Sequence, residues 1–119
     1  MEQLVPLLLV GTGGAIGSLC RFWLSRIQPI RDIPAGTLIV NVTGSFLIAV
    51  LASLNVSADA WNLLSIGVLG GYTTFSTFGF ETFRLLEDGD FRTAGANVLL
   101  NVAGGLLAAY AGFKVVGLL

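Results

Sequence analysis

The chain has 119 residues, of which 55% are apolar and only 11% are charged, and its mean hydropathy is +0.87. Soluble domains carry about a quarter charged residues, so this composition excludes an ordinary soluble globule. The net charge of −1 excludes nucleic acid as the main partner, and the single Cys20 excludes an internal disulfide. The sequence has no histidine and no nucleophile–base pair or metal cluster, so it does not predict an enzyme.

Four long runs lack charged residues, at positions 3–20, 33–58, 60–80 and 93–113. Each is long enough to cross a bilayer, which takes roughly 17 to 25 mostly apolar residues. The first run lacks the basic start of a signal peptide and is too long for one. We therefore predict an all-α integral membrane protein whose residues 1–119 form a single transmembrane channel domain with four transmembrane helices.

The first predicted span, residues 4–23, carries glycines at helical spacing and ends in a charged, aromatic segment. Gly13 and Gly17 form a GxxxG pair, which lets another helix approach closely. Arg21 is followed by Phe22 and Trp23, a combination typical of an interfacial anchor. The alternative is that Arg21 holds an anion at the mouth of a vestibule, and both interpretations stay open at this point.

The second predicted span, residues 35–54, carries polar residues at helical spacing. Thr37 and Asn41 are four residues apart, so they share one face of the helix. An asparagine inside a span is costly unless it is bonded, so Asn41 is expected to face protein or water. It forms either a bond between helices or part of a polar pathway.

The third predicted span, residues 60–86, contains an unusual stretch, Gly70-Gly71-Tyr72-Thr73-Thr74-Phe75-Ser76-Thr77-Phe78. Paired glycines and consecutive β-branched residues disfavour a continuous helix, so we predict that this helix is broken in the middle of the membrane. A broken backbone frees carbonyl and N–H groups that can bind ions, as in the discontinuous helices of transporters. The alternative is that these small residues only pack helices closely.

Aromatic and charged residues follow this stretch on the same span. Phe75, Phe78 and Thr82 are predicted to share a face, whereas Phe80 and Phe83 point elsewhere, toward lipid. A phenyl ring has a positive edge that an anion can contact. Glu81, near the far end of the span, is either an interface charge or a residue at the exit of a pore.

The fourth predicted span, residues 93–116, repeats the polar spacing of the second. Asn97 and Asn101 are four residues apart, and small residues at positions 104, 108 and 112 form a packing stripe. Two helices with the same polar spacing favour a shared polar track. The track is neutral and suits an anion, whereas exporters of cationic drugs rely on a carboxylate near the membrane centre, which the sequence pattern does not provide.

At these residues the chain resembles the Fluc, or CrcB, family of fluoride channels. The matching segments are Gly13-Gly14 with Gly17 and Arg21-Phe22, then Gly36-Thr37-Leu38 through Asn41 to Gly44-Ser45-Phe46, and then the whole stretch from Gly70 to Phe78. The chain departs from the family at Ala49, where a glycine is expected. It also departs at Asn97 and Asn101, where relatives carry Tyr or Ser.

The resemblance implies an antiparallel, dual-topology homodimer with two fluoride pathways, which exports fluoride passively across the bacterial inner membrane. It implies a central structural Na⁺ held by the backbone carbonyls of Gly70 and Thr73 from both subunits. The residues expected along each pathway are Asn41 as an anion ligand, Phe75 and Phe78 at its border, Ser76 and Thr77 as hydroxyl donors, Arg21 at a vestibule and Glu81 near one mouth. The polar track adds Thr37, Asn97 and Asn101.

Two other functions are compatible with four spans. A small drug exporter also works as a dimer, and a purely structural membrane subunit needs no ion pathway. Arginines flank the two outer links of the chain, which favours a cytoplasmic position for those links only mildly. This small bias leaves a strict dual orientation in the membrane open.

Overall fold

The computed structural model describes residues 3–119, and its membrane-spanning part is helical apart from one break. The elements are α1 (Leu4–Leu24), α2 (Ala35–Ser53), α3 (residues 58–72), α4 (Phe75–Glu87) and α5 (Phe91–Val116). Helices α3 and α4 form one interrupted span, Ala58–Glu87, so residues 3–119 contain four apolar spans. The predicted all-α architecture is confirmed, and the ends of the spans differ from the predicted ones by at most two residues.

Polar side chains begin two of the helices. The Ser57 hydroxyl accepts a hydrogen bond from Ala60 N–H at 3.3 Å, and the Asp90 carboxylate accepts one from Thr93 N–H at 3.0 Å. These bonds satisfy N–H groups that have no partner inside the first turn of a helix. The hydrogen bonds with Thr93 hold the pKa of the Asp90 carboxyl, which lies outside the spans, below its usual range.

Close packing between helices depends on glycine. Helix α1 packs along α3, and α2 packs along α5. A Cβ atom on Gly17 would collide with the Val68 carbonyl, and one on Gly112 would collide with the Phe46 carbonyl. At Gly17 and Gly112 the helix that comes close is therefore one of the same chain.

The third span is interrupted at Thr73 and Thr74, whose backbones are extended with ψ of 157° and 119°. The prediction of a broken helix is confirmed, but its position at the paired glycines is corrected. Gly70 and Gly71 are helical, and a Cβ on Gly71 would lie 2.5 Å from the Gly14 carbonyl oxygen. The two β-branched residues therefore end the helix, whereas Gly71 lets α1 approach.

Part of α3, Trp61–Leu69, is a π-helix. The Gly70 N–H at its end reaches back five residues to the Ser65 carbonyl as well as to Gly67. Such helices are rare and are usually a single turn long. The sequence pattern did not predict this segment, because its apolar residues suit an α-helix equally well.

The interior of the subunit is unusually polar and its exterior is apolar. The buried polar residues are Thr37, Ser65, Thr74, Asn97 and Asn101, which equal the buried hydrophobic residues in number. Leu7 and Leu107, by contrast, are each 69% exposed. Lipid tails are as apolar as leucine, so this arrangement is expected when the solvent around the helices is a bilayer.

Candidate functional site

The broken backbone is held by the side chain of one residue on α2. The Asn41 Nδ2 group donates to the Thr74 carbonyl at 3.0 Å, and the Asn41 Oδ1 atom accepts from Thr74 N–H at 2.9 Å. The amide thus replaces the helical partners that the N–H and carbonyl of Thr74 would otherwise have. Broken backbone inside a membrane needs such partners.

A chain of hydrogen bonds extends from this amide into α5 and back to α4. Asn41 Nδ2 also donates to Asn101 Oδ1 at 3.0 Å, and Asn101 Nδ2 donates to Asn97 Oδ1 at 3.1 Å. Asn97 Nδ2 then donates to the Thr82 hydroxyl at 3.0 Å, which itself donates to the Phe78 carbonyl at 2.8 Å. The network ties α2, α4 and α5 together around the break.

Thr74 is the residue at the centre of the site, although the sequence analysis did not select it. Its hydroxyl accepts from Thr77 N–H at 3.1 Å, which makes it the N-cap of α4, and it donates to the Thr77 hydroxyl at 3.0 Å. The Ser76 hydroxyl lies 3.3 Å away. The signal was present in the sequence, because threonine is a favoured N-cap residue where a helix restarts.

A cavity of about 200 Å³, which we call the inner cavity, opens on one side of Thr74. The residues that line it are Asn41, Ser45, Thr74, Phe75, Phe78, Asn101 and Val102. The Phe75 and Phe78 rings meet edge to face, with centroids 5.6 Å apart and planes at 60°. Phe78 is 9% exposed, whereas Phe75 is 84% exposed and points out of the subunit.

A second cavity of about 350 Å³, which we call the vestibule, also borders Thr74. The residues that line it are Ser18, Arg21, Phe22, Ser25, Thr37, Val40, Thr74 and Thr77. Arg21 is the one charged side chain among these lining residues. Thr74 therefore borders both the cavity that contains Arg21 and the cavity that contains the phenylalanine pair.

The remaining predicted site residues separate into different environments. Asn97 is fully buried and lines neither of these two cavities, so it supports Asn101 in this structure. Ser76 is exposed. Glu81 lines neither cavity, but its Oε1 atom accepts from the hydroxyl of Thr37, a vestibule residue, at 2.9 Å. Its buried Oε2 atom has no hydrogen-bond partner in the described chain.

The Asn41 amide uses both of its N–H groups within the protein, on Thr74 and Asn101. An anion at this amide has to take one of those donors from its present acceptor. Its role as an anion ligand therefore stays a prediction, and the structure adds a second role as the brace of the break.

The carbonyls expected to bind a cation lose their helical partners at the break. Thr74 N–H bonds Asn41 instead of the Gly70 carbonyl, and Thr77 N–H bonds the Thr74 hydroxyl instead of the Thr73 carbonyl. Neutral carbonyl oxygens are suitable ligands for a hard cation, but such cations take about six of them. The residues fit a cation site to which one chain contributes only a part.

Comparison with known proteins places these features in one family. The family model described as "CrcB-like protein, Camphor Resistance (CrcB)" matches residues 8–113. A protein of Geobacter sp. (strain M21) named "Fluoride-specific ion channel FluC" is 46% identical to this chain, with 97% of each chain covered. "Fluoride-specific ion channel FluC 3" of Methanosarcina acetivorans is 48% identical over 79% of this chain and 86% of its own. The "Fluoride-specific ion channel FluC" of Thermococcus gammatolerans is 43% identical over 89% of this chain and 91% of its own.

Proposed function

This chain belongs to the CrcB family, whose members are ion channels and not enzymes, and we propose that it is a fluoride-selective channel. It lets fluoride leave the cell passively across the cell membrane, which in a bacterium is the inner membrane. The observation that carries this proposal is that Thr74 lines both cavities, one of which contains Arg21 and the other the phenylalanine pair. Fluoride enters through one cavity and leaves through the other.

The residues around Thr74 suit the chemistry of a small, strongly hydrated anion. The Thr77 hydroxyl borders the vestibule, and the Asn41 amide and the Phe75 and Phe78 rings border the inner cavity. The Ser76 hydroxyl lies 3.3 Å from that of Thr74. In this proposal the hydroxyls, an Asn41 N–H group released from its present acceptor, and the positive ring edges replace the water around the anion. The residues that line the inner cavity carry no charge. An anion crossing it therefore meets no carboxylate that repels it.

We propose that the working protein is a homodimer of antiparallel subunits with two pathways. The subunit exposes 7746 Å², whereas about 6,100 Å² is expected for a compact protein of 12.4 kDa. Part of this exposed surface lies next to the break in the third span. Gly70 and Phe75 are exposed beside the break, and the exposed Thr43 hydroxyl pairs with Tyr72 at 2.8 Å. A second copy covers this face and closes the inner cavity.

The dimer also completes the cation site. The Gly70 and Thr73 carbonyls of one chain are too few for a hard cation, and a two-fold axis doubles their number. We propose that Na⁺ occupies this axis and supplies fixed positive charge between the two broken helices. This chain's part is to hold the carbonyls in place through Asn41 and the Thr74 cap.

Replacing Gly70 with leucine tests the dimer surface directly. A Cβ atom at Gly70 has only the Ser65 carbonyl near it, at 3.9 Å, so the folded subunit accommodates the start of the side chain. We expect Gly70→Leu to weaken dimerisation in detergent at least about tenfold, since overpacking costs typically 1–3 kcal/mol. Size-exclusion chromatography with light scattering measures the oligomeric state. Gly95→Leu is the control, because a Cβ atom at Gly95 meets nothing within 4 Å. If the Gly70→Leu protein remains fully dimeric, this face is not the dimer interface.

Fluoride efflux from liposomes that contain the purified protein tests the function itself. We expect a fluoride-selective electrode to record efflux when valinomycin balances the charge, and chloride-loaded liposomes to retain their chloride. Protein-free liposomes are the control for leakage. Equal release of both halides, or release of neither, contradicts the proposal.

A further inference from the structure

Arg21 reaches from the vestibule to the broken backbone. Its Nη1 atom donates to the Thr73 carbonyl at 3.2 Å. The approach is fixed one turn earlier, where Gly17 packs directly on the backbone of Val68 and Tyr72. The guanidinium has five N–H donors, so those not used on Thr73 remain available to the vestibule that Arg21 lines.

The Thr73 carbonyl is therefore shared by two sites. On one side it accepts a bond from a permanently charged guanidinium, and it is one of the two carbonyls assigned above to the central cation. A carbonyl oxygen has two lone pairs, so it can serve both partners at once. Positive charges on both sides of one oxygen repel each other, and this repulsion is strong inside a membrane protein because the local dielectric constant is low.

We propose that Arg21 couples anion binding in the vestibule to cation binding at the break, through the Thr73 carbonyl. The proposal rests on the cation site of the proposed function. An anion bound to Arg21 offsets the positive charge of the guanidinium. The guanidinium then repels the cation less and competes less for the Thr73 carbonyl, so the cation binds more tightly. By reciprocity, an occupied cation site strengthens anion binding in the vestibule by the same factor.

The contact makes Arg21 more than an interfacial anchor. Arg26, just after the end of α1, shows the anchoring arrangement, because its guanidinium lies 5.7 Å from the Phe22 ring and 5.5 Å from the Trp23 ring. The Arg26 guanidinium thus carries the same charge near the same end of α1, but it contacts aromatic rings and not the break. Arg26 is the matched control for any effect of charge alone.

The thermal unfolding temperature of the detergent-solubilised protein, measured against Na⁺ concentration, tests this coupling without any flux measurement. Choline replaces Na⁺ to keep ionic strength constant, and fluoride or gluconate is the anion. In the parent we expect fluoride to lower the Na⁺ concentration at half-maximal stabilisation by roughly fivefold or more, the lower range of allosteric coupling. In Arg21→Gln we expect the Na⁺ concentration at half-maximal stabilisation to be lower than in the parent when gluconate is the anion. Replacing gluconate with fluoride is then expected to have no further effect. Arg26→Gln is expected to behave as the parent.

Three other outcomes contradict the proposed coupling. If fluoride does not change the Na⁺ concentration at half-maximal stabilisation of the parent protein, there is no coupling. This measurement needs no variant. A weaker Na⁺ response in Arg21→Gln means that Arg21 only braces the carbonyl, which overturns it as well. A parent whose unfolding temperature ignores Na⁺ removes the cation site and the coupling together, whereas fluoride efflux from liposomes reports separately on the channel function.

Discussion

We expect Asn41→Asp to reduce fluoride efflux at least about a hundredfold, which corresponds to about 2.7 kcal/mol on the barrier. The carboxylate loses both N–H groups that bond the Thr74 carbonyl and Asn101 Oδ1. Each buried acceptor left without a partner costs about 1–3 kcal/mol. The new negative charge also faces the inner cavity and repels an anion there. Efflux from liposomes, normalised to the amount of dimer, measures the loss.

The same variant separates the two roles of Asn41. If the amide only binds the anion, Asn41→Asp loses efflux and keeps the unfolding temperature and its dependence on Na⁺. If the amide also braces the break, as the bonds to Thr74 indicate, all three decline together. Asn55→Asp, in the exposed link before α3, is the control for an added charge. Parent-like efflux from Asn41→Asp removes Asn41 from the pathway altogether.

We expect Phe75→Ile and Phe78→Ile each to reduce efflux about tenfold or more, because isoleucine has no quadrupole to offer an anion and a tenfold change is about 1.4 kcal/mol of barrier. The structure makes Phe75 the sharper test. Phe75 is 84% exposed in the subunit, so its replacement removes little packing within the chain. Phe78 is buried, and its replacement is expected to cost about 1 kcal/mol of stability as well.

Phe80→Ile is the matched control for the aromatic pair, because Phe80 is 63% exposed and does not line the inner cavity. Efflux and unfolding temperature are measured for all three variants. Equal efflux from the three overturns the role of the ring edges. Loss of efflux in Phe78→Ile alone, with a lower unfolding temperature, indicates that packing and not the ring edge explains the effect.

The spans were predictable from the sequence because bilayer thickness imposes a length that charge-free runs either meet or miss. The break was predictable, but the sequence did not show which of its two signals, the paired glycines or the consecutive threonines, marks its position. Glycines at 70 and 71 have two uses in a membrane helix, and their composition alone does not separate a break from a close approach. Only the contact between Gly14 and Gly71 shows that these glycines serve the close approach of α1.

The partners of the polar residues were less predictable. The spacing of Asn97 and Asn101 placed them on one face, as the structure has them, but did not indicate that Asn97 is enclosed and bonded to Thr82. Which side chain meets which depends on the rotation of α5 against α2 and α4, and a single sequence carries no measure of that rotation. Glu81 was placed correctly toward the end of its span, yet its bond to Thr37 across helices was not foreseen.

The reversed polarity of the subunit also determines where its sequence can change. In a water-soluble domain the apolar core is intolerant of substitution and the surface varies freely. Here the outward positions, such as Leu106 and Leu107, need only remain apolar, so many residues are equivalent there. The restrictive positions are small and polar ones inside, where a single methyl group on Gly17 meets a backbone carbonyl or a lost amide leaves Thr74 without a partner. Most of the information that selects this fold is therefore carried by hydroxyls, amides and missing side chains.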